Sequence, residues 1–221
     1  MRSFDEIYEI AANRKGGPEA LEALLATPKS ATELAAIPDD RWLAAMTRSI
    51  FQAGFNWKVV ENMWPGFEEA FEGFAVGRCA MLNDDDFARL VSDRRIVRHG
   101  TKIRSVQENA VFLSGLAGEH GSAAEAFANW PATDYIGLLD LMKKRGSRLG
   151  GNSGQYFLRA MGVDSFVLSR DVVARLIAEG VVDKNPTSKK ALADVQSAFI
   201  TWMEQSGRSL TEISRMLAMS V

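Results

Sequence analysis

Residues 141–176 read LMKKRGSRLGGNSGQYFLRAMGVDSFVLSRDVVARL. A basic helix end with Lys143, Lys144, Arg145 and Arg148 runs into the glycine-rich turn Leu149-Gly150-Gly151-Asn152-Ser153-Gly154, and an apolar-patterned helix follows. Glycines at a helix-to-helix turn let backbone N–H groups approach a phosphate closely, and the N-terminus of the following helix favours negative charge there. Lysine and arginine alongside supply the charge that holds a nucleic-acid backbone. Beyond the turn stands an isolated acid, Asp171. A hairpin over residues 138–162 thus reads as a DNA clamp, with Arg148, Gly150, Gly151, Asn152, Ser153 and Gly154 at the phosphates and a carboxylate nearby.

Outward from the hairpin, nearly every segment carries helical rather than strand periodicity, which predicts an all-α chain. Asp39 or Asp40 is placed to cap a helix through Trp42, Met46, Ile50 and Phe51; Asn56 and Asn83 are placed to cap two more. Residues 102–116 read as a long helix, followed by a loop over 115–121. A chain of 221 residues that is 47% hydrophobic suffices for one large helical domain, 1–221, or two lobes sharing a cleft.

The formal charge of −2 excludes a globally basic protein but hides a strong asymmetry. Residues 61–93 hold eight acids against two bases, whereas 94–104 hold five bases and no acid. Residues 143–175 carry seven bases against Asp164 and Asp171. Such clustering predicts one anion-facing surface on an acidic body. The single cysteine, Cys79, excludes an internal disulfide, and with two histidines the metal-ligand inventory is poor. No metal or other cofactor is expected. The N-terminus has no apolar leader and no run is long enough to span a membrane, so a soluble, cytoplasmic protein without membrane partners is expected.

Two blocks beside the hairpin carry a resemblance. The first is Phe51-Gln52-Ala53-Gly54-Phe55-Asn56-Trp57, continued by Phe67-Glu68-Glu69-Ala70-Phe71-Glu72-Gly73-Phe74. The second is Ile96-Val97-Arg98-His99-Gly100-Thr101-Lys102-Ile103, with Asn109-Ala110. With the hairpin these cover roughly residues 45–165 in order, and the stretch resembles the DNA-3-methyladenine glycosylase I family of the helix-hairpin-helix DNA glycosylase superfamily. The resemblance implies a two-lobed helical fold with a central cleft that accepts a nucleotide flipped out of duplex DNA. It further implies hydrolysis of the N-glycosidic bond of alkylated purines such as 3-methyladenine, in base-excision repair. The partner implied is double-stranded DNA containing alkylated bases. Two departures stand out. The family commonly has a Cys/His zinc site, for which this chain lacks the ligands, so no zinc is expected. The family also has an acid ahead of the QAG segment, where this chain has Ser49.

Within that frame each residue has two readings. Trp57 matches the family's aromatic wall, whose π face attracts a cationic base; otherwise it is a core tryptophan. Phe51 lines the same pocket or belongs to the core. Gln52 hydrogen-bonds a base edge or satisfies neighbouring backbone; Ser49 contacts the base weakly or is a surface serine. Asp171 faces the sugar cation or caps a helix beginning at Val172. Lys102 contacts a phosphate or belongs to a solvated basic face. At the position where bifunctional relatives carry a lysine nucleophile stands Gln155, which predicts an enzyme without lyase chemistry. The alternative is a non-catalytic helix-hairpin-helix protein that recognises damaged DNA.

Overall fold

The computed structural model describes residues 1–221 and is all-α. In chain order the helices are α1 (Phe4–Lys15), α2 (Pro18–Glu22), α3 (Ala31–Ala35), α4 (Asp39–Gln52), α5 (Trp57–Asn62), α6 (Trp64–Ala70), α7 (Val76–Ala80), α8 (Asp84–Ser92), α9 (Gly100–His120), α10 (Ala123–Ala128), α11 (Tyr135–Arg145), α12 (Asn152–Met161), α13 (Arg170–Ala178), α14 (Lys189–Ser206) and α15 (Leu210–Met219). Short 3-10 turns at Glu72–Phe74 and Ala132–Asp134 complete it. The chain divides into two compact units, each built from separated segments. A central unit holds Ser30–Asn129 and Leu139–Met161; a terminal unit holds Met1–Lys29, Trp130–Leu138 and Gly162–Val221.

The central unit is organised around α9, which packs against α4, α7, α8 and α10. Its apolar face (Ile103, Val106, Ala110, Leu113) is fully buried, as the helical spacing requires. The expected stop at residue 116 is overturned: α9 continues through Gly115 and Gly118 and ends only where Gly121 turns left-handed at φ 93°. An interior glycine costs only about 1 kcal/mol relative to alanine, and the burial of Leu116 and neighbouring turns outweighs it. Aromatics fill the space between helices. Trp42 stacks on Phe127 with centroids 4.7 Å apart, and Phe157 meets Trp42 edge-on at 5.9 Å. Trp64 lies parallel to Phe67 and Phe74 at 5.3 and 5.5 Å.

Asp39 and Asp40 do not cap α4, whose N-cap is Pro38. The Asp39 carboxylate instead accepts the N–H groups of Ala123 and Ala124 (3.0 and 2.9 Å), satisfying orphan donors at the start of α10. Asn56 and Asn83 do cap α5 and α8, the latter in a reciprocal box with Asp86.

The terminal unit has its own aromatic spine: Tyr135 meets Phe166 edge-on at 4.6 Å, and Phe166 stacks on Phe199 at 4.3 Å. Trp202 closes it at 5.8 Å from Phe199. The chain from Gly162 to α13 is non-helical yet buried, and helix side chains satisfy part of its backbone. Thr211 and Ser214 hydroxyls accept the N–H groups of Ser165 and Val167. Glu179, 5% exposed, joins the N-terminus to α13: it accepts from the Arg2 backbone N–H and side chain at 2.8 Å each and from Arg175 at 3.2 Å.

Candidate base pocket and nucleic-acid interface

The pocket is assembled inside the central unit from one face each of α4 and α12, which pack together. Ser49 and Gln52, three residues apart, share a face of α4. Asn152, Ser153, Tyr156, Arg159 and Ala160 recur at helical spacing along α12, whose opposite face buries Phe157, Leu158 and Met161. Ala53, Gly54 and Trp57 close the rim, and the cavity measures about 460 Å³. That size suits a small aromatic ligand. Trp57 is 54% exposed and meets Tyr156 edge-on at 6.3 Å, so two π-systems flank the opening. An exposed tryptophan over a cavity is not a core tryptophan.

Ser49, Gln52 and Trp57 therefore meet at one cavity. Phe51 does not join them. It is fully buried and packs edge-on against Phe67 at 4.7 Å, because one residue along α4 rotates a side chain about 100° away from Gln52. Two residues that sequence reading did not single out, Tyr156 and Arg159, complete the wall. Their helical spacing from Ser153 was the available signal.

Lys102 also departs from expectation. It is 6% exposed, and its ammonium donates to the carbonyls of Phe51 (3.2 Å) and Ala53 (2.8 Å). It satisfies orphan carbonyls at the C-terminus of α4, where the helix dipole favours a cation, and cannot reach a phosphate. Burial, aided by the charge of Arg148, pulls its pKa below the ordinary lysine range.

The hairpin forms as α11, a turn, and α12. Gly146 and Gly154 are there for close packing: a Cβ on Gly154 would collide with the Leu149 carbonyl, and one on Gly146 would lie 2.7 Å from that of Met142. Gly154 is buried and thus belongs to the hairpin's interior rather than its DNA-facing surface. Gly151 takes φ 61°, and Arg148 is left-handed at φ 59°. Asn109, buried on α9, pins the turn by donating to the Ser147 carbonyl (3.1 Å) and accepting the Ser147 N–H (2.7 Å). Arg148, Gly150, Gly151 and Asn152 are exposed and Ser153 is half-buried. Arg148, Gly150 and Ser153 line a smaller cavity of about 320 Å³ with Ile50 and Ala53.

Asp171 lies in the terminal unit, exposed in the first turn of α13. It is not the cap. Helix α13 begins at Arg170, and the Ser169 hydroxyl accepts the Val172 N–H at 3.3 Å. Arg175 is buried, with its guanidinium on Glu179 and Ser220. Gln155 is buried in α12. No group of three or more His, Cys, Asp and Glu side chains is arranged to hold a metal, and no helix is long and apolar enough to cross a membrane. Cys79 is buried, its thiol donates to the Phe71 carbonyl at 3.7 Å, and burial pushes its pKa up to about 12. Thiolate chemistry is closed to it.

Residues 36–136, which include Ser49, Gln52 and Trp57, match the family model for methyladenine glycosylase. No curated protein matches in sequence. Among solved structures, a 3-methyladenine DNA glycosylase I crystal structure aligns at 21% identity and TM-score 0.53, over 62% of this chain and 82% of its own. The Staphylococcus aureus 3-methyladenine DNA glycosylase I aligns at 18% identity and TM-score 0.51, over 71% of this chain and 92% of its own. These two likenesses speak to the fold. Residues 36–136, just under half of the chain, therefore resemble the methyladenine glycosylase family.

Proposed function

We propose that this protein is a monofunctional DNA glycosylase that hydrolyses the N-glycosidic bond of alkylated purines such as 3-methyladenine in duplex DNA. The observation that carries this reading is the cavity in which exposed Trp57 and Tyr156 stand over Ser49 and Gln52, with the hairpin turn at its edge. Methylation at N3 or N7 makes the purine cationic and a good leaving group. The protein then has three tasks: extract the nucleotide, hold the charged base and stabilise an oxocarbenium-like sugar while water attacks C1′. The indole face of Trp57 attracts the cation, and Gln52 and Ser49 offer hydrogen bonds to its edge. The N–H groups and cations of the hairpin hold the flanking phosphates. Asp171, the carboxylate that the sequence offers for the sugar cation, is not committed to capping, because Ser169 caps α13. Gln155 has no nucleophilic amine, which supports hydrolysis without strand cleavage.

The test is chromatographic release of free 3-methyladenine from methylated duplex DNA. Trp57→Ala and Asp171→Asn should each lower release by about tenfold or more, with no strand cleavage and no borohydride-trapped adduct. Salt-sensitive DNA binding without base release would make the protein a non-catalytic damage binder. Undetectable duplex binding at low salt would remove both readings.

A further inference from the structure

The base pocket and the smaller cavity beside it share Ala53 and Ser153, and no Asp or Glu lines either one. The formal charges on their walls are Arg159 in the pocket and Arg148 in the smaller cavity, both positive. A third cation lies behind the rim. The Lys102 ammonium donates to the carbonyls of Phe51 and Ala53, so the negative end of the α4 dipole is already matched. Burial, and then the charge of Arg148, hold the Lys102 pKa below the ordinary lysine range, so these two cations sense each other. The other polar groups of the pocket wall belong to Ser49, Gln52, Asn152, Ser153 and Tyr156. They are hydroxyls and amides, which both donate and accept.

We propose that the substrate class of this pocket extends to alkylated purines whose ring stays neutral, such as an etheno-bridged adenine. The inference rests on the glycosylase reading of the same pocket and names what that pocket selects. A wall that singles out a cationic base sets a carboxylate against it, where a charge-assisted hydrogen bond forms. Here the attraction for a cation comes from ring faces, and an exposed ring prefers a cation by only a few-fold. The positive charges nearby offset that preference. A neutral base meets no such repulsion, and hydroxyls and amides read its edge whichever way its donors and acceptors fall. The same field suits the chemistry. When a neutral purine departs, the C1′–N9 bond breaks with its electron pair on the base, which becomes an anion. The Arg159 guanidinium and the Gln52 amide are donors on the wall for that anion, whereas a carboxylate would oppose it. Water adds to C1′, and the proton it loses returns the base to neutrality. A cationic base leaves as a neutral molecule and gains nothing from these cations. The cavity of about 460 Å³ has room for the additional ring.

Single-turnover base release, read by chromatography, tests this with two substrates: a duplex carrying one ethenoadenine, and methylated duplex carrying 3-methyladenine. Three proteins are compared: wild type, Ser49→Glu and Gln52→Glu, the last of which keeps the side chain's shape. Wild type should release both bases faster than they leave spontaneously. Each variant should shift the ratio of the two rates toward 3-methyladenine by about tenfold or more, because a carboxylate then faces the base. Both rates come from one protein, so their ratio does not depend on the fraction that is folded. A wild type that releases 3-methyladenine and leaves ethenoadenine at its spontaneous rate would overturn the inference and leave the glycosylase reading standing. Variants with the wild-type rate ratio would overturn it in the same way. Release of neither base would remove the glycosylase reading and the inference with it.

Discussion

At the scale of single residues, the contrast between Gln52, Trp57 and Lys102 is instructive. All three belong to blocks whose residue types suggest contact with DNA, yet the first two line a cavity and the third is locked beneath them. Lys102 enters α9 near its N-terminus, an unfavourable place for a cation by dipole alone. The carbonyls of Phe51 and Ala53 offset that cost. Replacing it with methionine should therefore destabilise the protein by about 2 kcal/mol through two lost charge-assisted hydrogen bonds, read as a shift in the urea midpoint. The salt slope of DNA binding should stay the same, since no phosphate contact is lost. An unchanged midpoint with a reduced slope would return Lys102 to the DNA surface. Sequence alone showed that Lys102 is basic. Its burial depends on where the end of α4 meets the start of α9.

At the scale of elements, the hairpin was legible to within a few residues, because glycines and a basic helix end are local signals. What locality could not supply was each glycine's task. Gly151 carries the left-handed backbone, whereas Gly154 carries none of the strain and is required by contact with Leu149. Gly154→Ala should force α12 away from the turn and cost on the order of 1–3 kcal/mol, with duplex affinity falling together with thermal stability. Gly151→Ala should strain the turn backbone but meet no neighbour. Calorimetry on the two variants separates the effects, and a Gly154→Ala protein as stable as wild type would contradict the packing assignment. The pin that holds the turn, Asn109, comes from a distant helix. In the sequence it is one of three polar residues, with Lys102 and Ser105, spaced along the buried side of α9.

At the scale of the whole molecule, each unit is closed by contacts between residues far apart in the chain. In the terminal unit the lock is Glu179. Burial opposes its ionisation, but hydrogen bonds from Arg2 and Arg175 outweigh it, so its pKa lies below the ordinary carboxylate value. A carboxyl that is more acidic folded than unfolded contributes its full stability at neutral pH and loses it as pH falls through its folded pKa. Wild type should therefore lose urea resistance below the ordinary carboxylate range, and Glu179→Gln should lose correspondingly less. At pH 7, Glu179→Ala should cost about 3 kcal/mol, because Arg175 would be left buried without its partner. Equal acid sensitivity in wild type and Glu179→Gln would place the titrating group elsewhere.

The sequence by itself determined the helical class, the hairpin, the caps at Asn56 and Asn83, and the blocks that place the chain beside the methyladenine glycosylases. These are local properties: periodicity, turn chemistry and short motifs act over a few residues. It also narrowed the pocket to the end of α4. Only the tertiary structure decided which neighbours on that helix face the cavity. Adjacent residues on a helix point about 100° apart, so Gln52 lines the pocket and Phe51 fills the core. Tertiary structure also brought Tyr156 and Arg159 to the pocket and relieved Asp171 of capping. Burial and pairing are properties of neighbours in space, and no local pattern encodes them.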